Sequence, residues 1–484
     1  MKITPIIGLE VHVELKTKSK MFCGCDAQHF HVDPNTHTCP VCLGLPGALP
    51  VPNIKACQWC IKLGLALGCT PNLISFFERK NYFYPDLAKG YQLTQLEKPF
   101  VVNGKITIDG QEIRINRAHM EEDTGKSIHI TESGKDLTLI DYNRCGVPLV
   151  EIVSEPDITS PQMAKNYLLK IQQIVRYLGI SDADIEKGSM RCEPTVNLKI
   201  EEDSKEFFTP LAEIKNVASL TGVLNALNFE IDRQTKEFKQ TREIKSKTNK
   251  TTRGWDAVKN QTFLQREKEG SSDYRYFPEP DIPHITFTES EIEEIRETLP
   301  ELPDSKILKY TNEYGLLDYP SKVISEYRDF AELFEHIVGD RKEKPFCTFV
   351  ANILLGPFKT VLDLGGTLDT DKIIKINFSE LFDAVESGKV SIGVARDTVS
   401  ELYKSNNQIT SAFEYIKSKG LIQNSDSNEI EKIAQEVVDQ NPKAVADYKK
   451  NPMSIGFLIG QLMKASGGSA NPSLAKEILE KLLR

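Results

Sequence analysis

The period of hydrophobicity changes once along this chain, and that change limits what it can fold into. Up to about residue 290, apolar residues recur at every second position in short runs, as in Leu9-Glu10-Val11-His12-Val13-Glu14-Leu15 and Lys105-Ile106-Thr107-Ile108. A period of two belongs to a half-buried strand, whose side chains alternate between faces. Asn103-Gly104 and Asp109-Gly110 punctuate these runs as turn signals. Helices intrude: Met163 to Leu178 sets Tyr167, Leu168, Ile171, Ile174, Val175 and Leu178 on a single face. From Glu289 onward the period is helical, with Thr288 or Ser290 as its cap and Pro300 as its stop. The expected fold is α+β: a mixed domain with an antiparallel sheet, then a helical domain and a small all-α tail domain.

Polar and proline-rich breaks place the boundaries. Glu279-Pro280-Asp281-Ile282-Pro283 reads as a linker entrance and Ser405-Asn406-Asn407-Gln408 as a second break, giving domains at 1–290, 291–406 and 407–484. A chain of 484 residues is too long for one ordinary core, in keeping with three parts. Within the tail, Ser466-Gly467-Gly468-Ser469 separates two helices, and Asn471-Pro472 opens the last with a cap and a proline. No membrane span is expected, because no apolar run reaches about 18 residues. The first ten residues resemble neither a signal peptide nor an Arg-rich presequence, so a cytoplasmic location of bacterial type is expected.

The net charge of −9 excludes a protein that coats nucleic acid by bulk electrostatics. It leaves room for a local basic surface: Asp232 to Lys268 holds eleven Lys/Arg against five Asp/Glu.

Several motifs carry chemistry. In extended backbone Glu10, His12 and Glu14 share one strand face, a half-site for a divalent metal; a solvated sheet face is the alternative. His119-Met120-Glu121-Glu122-Asp123 is an acidic knot that needs water or a cation to screen it. Gly125-Lys126-Ser127 follows, but Met120 stands where a Walker loop needs glycine, so this is no phosphate loop. Cys23-Gly24-Cys25 and Cys39-Pro40-Val41-Cys42, thirteen residues apart, have the spacing of a closed four-cysteine zinc site of structural type. Cys57 and Cys60 sit in a helical pattern and read as core. Glu151, flanked by apolar residues, must face water or meet a partner such as a metal. Tyr274-Arg275-Tyr276 packs aromatics around a cation, which suits base or phosphate contacts as well as a packed loop.

Taken together, IGLEVHVELKTKSKMF (7–22), ERKNYFYPDLAKGYQLTQ (78–95), HMEEDTGKS (119–127), DYNRCGVPLVEIVSEPD (141–157), EGSSDYRYFPEPD (269–281) and GFLIGQLMKAS (456–466) resemble one family from end to end. It is the B-subunit family of the tRNA-dependent Asp/Glu amidotransferases (GatCAB). The resemblance implies a catalytic cradle domain, a helical domain and a tail that binds the tRNA elbow. It implies a ligase of protein biosynthesis that uses ATP and Mg²⁺ to phosphorylate the side-chain carboxyl of Glu or Asp misacylated on tRNA(Gln) or tRNA(Asn). Ammonia from the glutaminase (amidase) A-subunit, in a heterotrimer completed by a small C-subunit, then displaces the phosphate. Carried over by position, Glu10, His12, Glu122 and Glu151 are the implied catalytic and magnesium set, with Glu121 a lesser member. Arg79, Lys80 and Arg275 are the implied contacts to ATP phosphates or to the tRNA 3′ end. Zinc at Cys23, Cys25, Cys39 and Cys42 would support the N-terminal region without joining the chemistry. Two other classes compete: a non-catalytic tRNA-binding scaffold, and a zinc hydrolase using His12 and His119, against which the absence of H-E-x-x-H counts.

Overall fold

The structure, a computed structural model, describes residues 1–268, 274–405, 411–423, 427–451, 454–466 and 470–483. The chain divides into two compact units, Met1–Leu302 and Pro303–Arg484. In the first, the alternating runs become a ten-stranded sheet. Its strands run, edge to edge, Gln261–Lys268, Lys250–Asp256, Ala212–Lys215, Met190–Glu202, Lys2–Glu14, Pro148–Ser154, Gln111–Glu122, Val101–Ile108 and Thr70–Pro71. Lys205–Phe208 pairs with Met190–Glu202 off this path. The pairing is antiparallel except where Ala212–Lys215 runs parallel to Lys250–Asp256. Helices follow throughout the second unit, so the fold is α+β as the change of period implies.

The central strand Lys2–Glu14 shows how the sequence orients the sheet. Ile7, Leu9, Val11 and Val13 are at most 1% exposed and share a core with residues of the helices Ile54–Ala66, Pro161–Leu178 and Leu220–Thr241. Each such side chain contributes about 1.5–3 kcal/mol on burial, so a one-residue slip that turned them outward is strongly opposed. The polar residues between them are thereby fixed on the opposite face. Helix Pro161–Leu178 starts where the Ser160 hydroxyl accepts the Met163 N–H and ends at Gly179, whose φ of 68° suits a glycine C-cap. Its buried face includes all six apolar residues that its periodicity singles out.

Asp109 (φ 51°) and Gly110 (φ 80°) close the hairpin between Val101–Ile108 and Gln111–Glu122 on left-handed backbone. Asn103-Gly104 is not a turn, contrary to the sequence signal. It lies inside strand Val101–Ile108, where a Cβ on Gly104 would stand 2.8 Å from the Leu67 carbonyl oxygen. Glycine serves a close backbone approach there. Thr288 caps helix Glu289–Glu297 in a capping box with Glu291, and the helix ends at Thr298, before Pro300.

The second unit holds two hydrophobic cores, one drawn from Tyr310 to Ile416 and one from Ile430 to Leu483. Asn471 accepts the Leu474 N–H at the head of helix Pro472–Leu483. Residues 406–408 of the second break and the 467–469 loop lie outside the described residues. Among the described residues no single helix is long and apolar enough to cross a membrane.

Candidate active site

Three adjacent strands build the site. Register places His12 opposite Glu151, and Glu151 opposite His119, in a row across Lys2–Glu14, Pro148–Ser154 and Gln111–Glu122. Glu121 shares the face of His119, two residues along. His12 Nε2 lies 3.4 Å from Glu151 Oε2 and 3.7 Å from Glu121 Oε2. His119 Nε2 lies 3.4 Å from the same Glu151 oxygen and 3.5 Å from Glu121 Oε1. Thr94 Oγ1 donates to Glu121 at 2.8 Å and Gln92 Nε2 at 3.2 Å, fixing the carboxylate's orientation. His119, Glu121 and Glu151 are buried.

The charges of this cluster are mutually dependent. Burial alone would pull the His12 imidazole down, but the charge and hydrogen bond of Glu151, with the carboxylates of Glu121 and Glu193, together lift the pKa to about 9. Burial likewise pushes Glu151 upward, and His119 and His12 together hold it well below the usual carboxylate range. Glu121 is also held low against burial and against Glu151, chiefly by the Lys80 ammonium. Lys80 in turn keeps its proton despite burial because Glu121, Tyr276 and Glu151 surround it.

A cavity of about 370 Å³ opens over the cluster, with Glu10, Lys80, Tyr82, Arg191, Glu193 and Lys215 in its wall. Glu10 is pushed upward by burial and by Glu151 and Glu193. On the same wall Lys215 Nζ bridges Glu193 (2.6 Å) and Glu213 (3.3 Å). Arg191 pairs with Asp123 and holds its carboxyl well below the usual range against burial.

One ligand atom each from His12, Glu121 and Glu151 can be chosen so that all lie within 4.8 Å of one another. An imidazole and two carboxylates at that separation suit a hard divalent cation.

The doublet Glu121-Glu122 divides between faces, and the structure reverses the order given to its members. Glu122 turns away from His12: it pairs with the Lys89 ammonium and accepts the Leu93 N–H at 3.0 Å. Strand alternation separates the two acids, but only the register against Glu151 shows which one faces the cavity. Glu10 lines the cavity beyond the three-residue cluster. Lys80 reaches the cavity; Arg79 does not line it. Arg79 instead binds Glu279 in a bidentate pair at 2.6 and 2.8 Å, packed over the Tyr91 ring. Arg275 is exposed, on left-handed backbone (φ 47°), while its neighbour Tyr274 lines the cavity. Residues 269–273 of the same motif lie outside the described residues. Arg191, Glu193, Glu213 and Lys215 are members of the site that the motifs did not single out. His119 stood in the acidic knot but was read as a ligand only for the competing zinc hydrolase.

The four cysteines meet as their spacing implies, with sulfur atoms all within 4.8 Å of one another. The Cys39 N–H points at Cys42 Sγ at 3.1 Å, and Cys42 is buried while the other three are part-exposed. Cys57 and Cys60 are core residues. Many cations of the Asp232–Lys268 segment are already engaged: Arg233 and Arg253 with buried Glu230, Arg242 with Glu202, and Lys250 with Glu213.

Two protein families match the chain: the GatB/GatE catalytic domain over residues 5–293 and the GatB domain over residues 332–483. Full-length relatives are named as the B-subunit of aspartyl/glutamyl-tRNA(Asn/Gln) amidotransferase. That of Thermotoga petrophila is 40% identical over 491 residues, covering 100% of this chain and 99% of its own. That of Persephonella marina is 42% identical over 491 residues and covers both chains completely (100% each). That of Dehalococcoides mccartyi strain CBDB1 is 41% identical over 496 residues, 100% of this chain and 99% of its own. Matched end to end by these relatives and by both of its domains, the chain belongs to the GatB family.

Proposed function

We propose that this chain activates and amidates the side chain of Glu or Asp misacylated on tRNA(Gln) or tRNA(Asn), at the cavity over His12, Glu121 and Glu151. A carboxylate does not condense with ammonia directly, because oxide is a poor leaving group. In the proposed reaction a carboxylate oxygen attacks the γ-phosphorus of ATP and ADP departs. Ammonia nitrogen then attacks the acyl carbon, phosphate leaves and the nitrogen loses a proton. The observation that carries this reading is the buried imidazole and carboxylate cluster beneath a cavity lined by both carboxylates and cations, Lys80 and Arg191 among them, in a chain of this family.

His12, Glu121 and Glu151 would hold Mg²⁺, with Glu10 as a further carboxylate at the rim; Glu122 is directed elsewhere. Magnesium bound there would neutralise phosphate charge during transfer. Lys80, held protonated by its acidic neighbours, is placed to meet a phosphate oxygen. Arg191, tied to Asp123, contributes a second fixed positive charge in the cavity wall. Such positioning and charge neutralisation are what phosphoryl transfer chiefly asks of a protein. Arg275 on the exposed surface is assigned to the tRNA 3′ end.

The partners in this reading are a glutaminase that supplies ammonia, a small third protein of the heterotrimer and the tRNA, in the cytoplasm. The proposed division of labour is catalysis in 1–290, a helical connection in 291–406, and binding of the tRNA elbow in 407–484. In support of the last, Gly456 and Gly460 sit on an exposed face of helix Ile455–Ala465, with nothing within 4 Å of where a Cβ would stand. Lys464 is exposed on the same helix, while the Gly467-Gly468 loop lies outside the described residues. The four-cysteine cluster is assigned a structural zinc ion, since four thiolates leave no open position.

The test is ATP- and Mg²⁺-dependent amidation of Glu-tRNA(Gln) by the assembled enzyme with free ammonium as nitrogen donor. Wild type should form Gln-tRNA(Gln), and His12→Ala and Glu121→Gln should not. Full activity in either variant refutes the metal assignment. No ATP-dependent product from wild type supports the scaffold reading.

A further inference from the structure

Lys20 is a fully buried lysine (0% exposed) outside the candidate active site. Its ammonium donates to the His37 carbonyl at 2.7 Å and to the Tyr142 carbonyl at 3.3 Å, and stands 3.8 Å from Cys42 Sγ. Among the described residues it has no carboxylate partner. A buried ammonium held only by neutral oxygens is strongly unfavourable, so such groups are paired. Of the three atoms it contacts, only the Cys42 sulfur is able to carry negative charge. Cys42 is also the most buried of the four cysteines, the one whose charge water screens least.

We infer that Lys20 is the counter-cation of the four-cysteine centre. Four thiolates around one divalent ion leave a net negative charge, and Lys20 offsets it at the buried corner. The inference rests on reading the cysteines as a metal site and adds a residue that the spacing of cysteines does not reveal.

The same side chain is also a brace. The Tyr142 carbonyl belongs to the turn that feeds strand Pro148–Ser154, which carries Glu151. That turn is held to the cysteine region by further bonds, among them Met21 N–H to Gly146 oxygen (2.7 Å), Tyr142 N–H to Asn35 (2.8 Å) and His37 N–H to Asn143 (2.8 Å). Lys20 is the member of this set that touches the metal-binding sulfur itself. It is a positioning residue and has no part in the chemistry.

The experiment is zinc competition against a chromophoric chelator on the purified full-length chain, with thermal unfolding of metal-loaded and chelator-stripped protein. K20M and K20Q should hold zinc about 10- to 100-fold more weakly than wild type, the range for lost partners of metal ligands. K20R, which keeps the charge, should restore most of the affinity. The zinc-dependent rise in Tm should shrink in K20M and K20Q, over and above any fall in the Tm of stripped protein from the lost carbonyl bonds. Zinc binding by both neutral variants as tight as wild type overturns the inference. Equal loss of Tm with and without zinc also overturns it, because that is the signature of a brace alone. If K20M does not fold, the comparison of K20Q with K20R decides on the same criteria. Wild-type protein that takes up no zinc overturns the metal reading and this inference with it; zinc uptake that ignores Lys20 overturns this inference only.

Discussion

The pairing of Arg79 with Glu279 predicts an unequal outcome for its two halves. Arg79 sits on strand Glu78–Asn81 and Glu279 just beyond strand Phe277–Pro278; these strands pair, with Arg79 opposite Phe277. The Glu279 side chain is 0% exposed and that of Arg79 20% exposed. Arg79→Met leaves a buried carboxylate with little beyond the Asp281 N–H at 3.0 Å to satisfy it. That should cost about 3–5 kcal/mol, the range for a buried ion stripped of its partner. Glu279→Gln leaves a guanidinium that still reaches water, Asp281 at 3.5 Å and the Tyr91 ring at 4.4 Å. Its cost should be nearer 1–3 kcal/mol, that of a lost charged hydrogen bond, by roughly the usual scale. The double variant should lose less than the sum, because the stranded carboxylate is gone. Burial raises the Glu279 carboxyl, but Arg79 outweighs it and holds the pKa below the ordinary 4.5. The pair's contribution is therefore complete above pH 4.5 and vanishes as pH falls through the folded value, so wild type and Arg79→Met should converge in acid. Denaturant unfolding of the three variants across pH measures all of this. An Arg79→Met protein as stable as wild type, with a raised KM for ATP, would refute the structural role and return Arg79 to phosphate binding.

Glu121→Gln should reduce ATP-dependent amidation by about 100-fold or more and weaken Mn²⁺ binding in equilibrium dialysis, since losing a direct ligand should cost at least as much as losing a ligand's partner, about 10- to 100-fold. Glu122→Gln should leave Mn²⁺ binding unchanged, because its partner is Lys89. Gly104→Ala should be destabilising by about 1–3 kcal/mol in thermal unfolding, since the new methyl presses on Cys69 Sγ and the Leu67 carbonyl. Glu335→Gln should destabilise by about 1–3 kcal/mol at neutral pH, because it accepts from Lys306 (2.7 Å) and Tyr310 (3.0 Å). Burial raises the Glu335 carboxyl but Lys306 holds it below 4.5, so this cost should fade as pH drops below that value.

What the sequence made legible was whatever depends on local period or spacing. The strand face of Glu10 and His12 could be read because Leu9, Val11 and Val13 fix its opposite. The convergence of the two cysteine pairs could be read because their spacing lets four sulfur atoms meet. The face of Glu121 could not, because a strand containing both Met120 and Ala118 among polar residues gives its period but not its neighbour. Arg79 misled for a related reason: its partner lies two hundred residues on, in a segment whose pairing with Glu78–Asn81 leaves no local trace. Glu193, Glu213 and Lys215 come from strands whose motifs looked ordinary, and only the sheet order brings them to one cavity. Asn103-Gly104 carried the sequence signal of a turn but serves as a gap for a passing backbone.

The split doublet has a genetic corollary. Along Gln111–Glu122, insertion or deletion of a single codon after the irregularity opposite Val153/Ser154 would exchange the occupants of the two faces. An insertion would bring Met120 to the register of Glu121, and a deletion would bring Met120 to that of His119, so either event puts an apolar side chain into the cluster. Lineages that keep the activity should therefore vary this stretch by replacement alone. Length changes should collect in the neighbouring hairpin Lys126–Glu132 and Lys135–Asp141, which pairs only with itself. A frame of twelve residues is thus under a ruler as well as under chemistry.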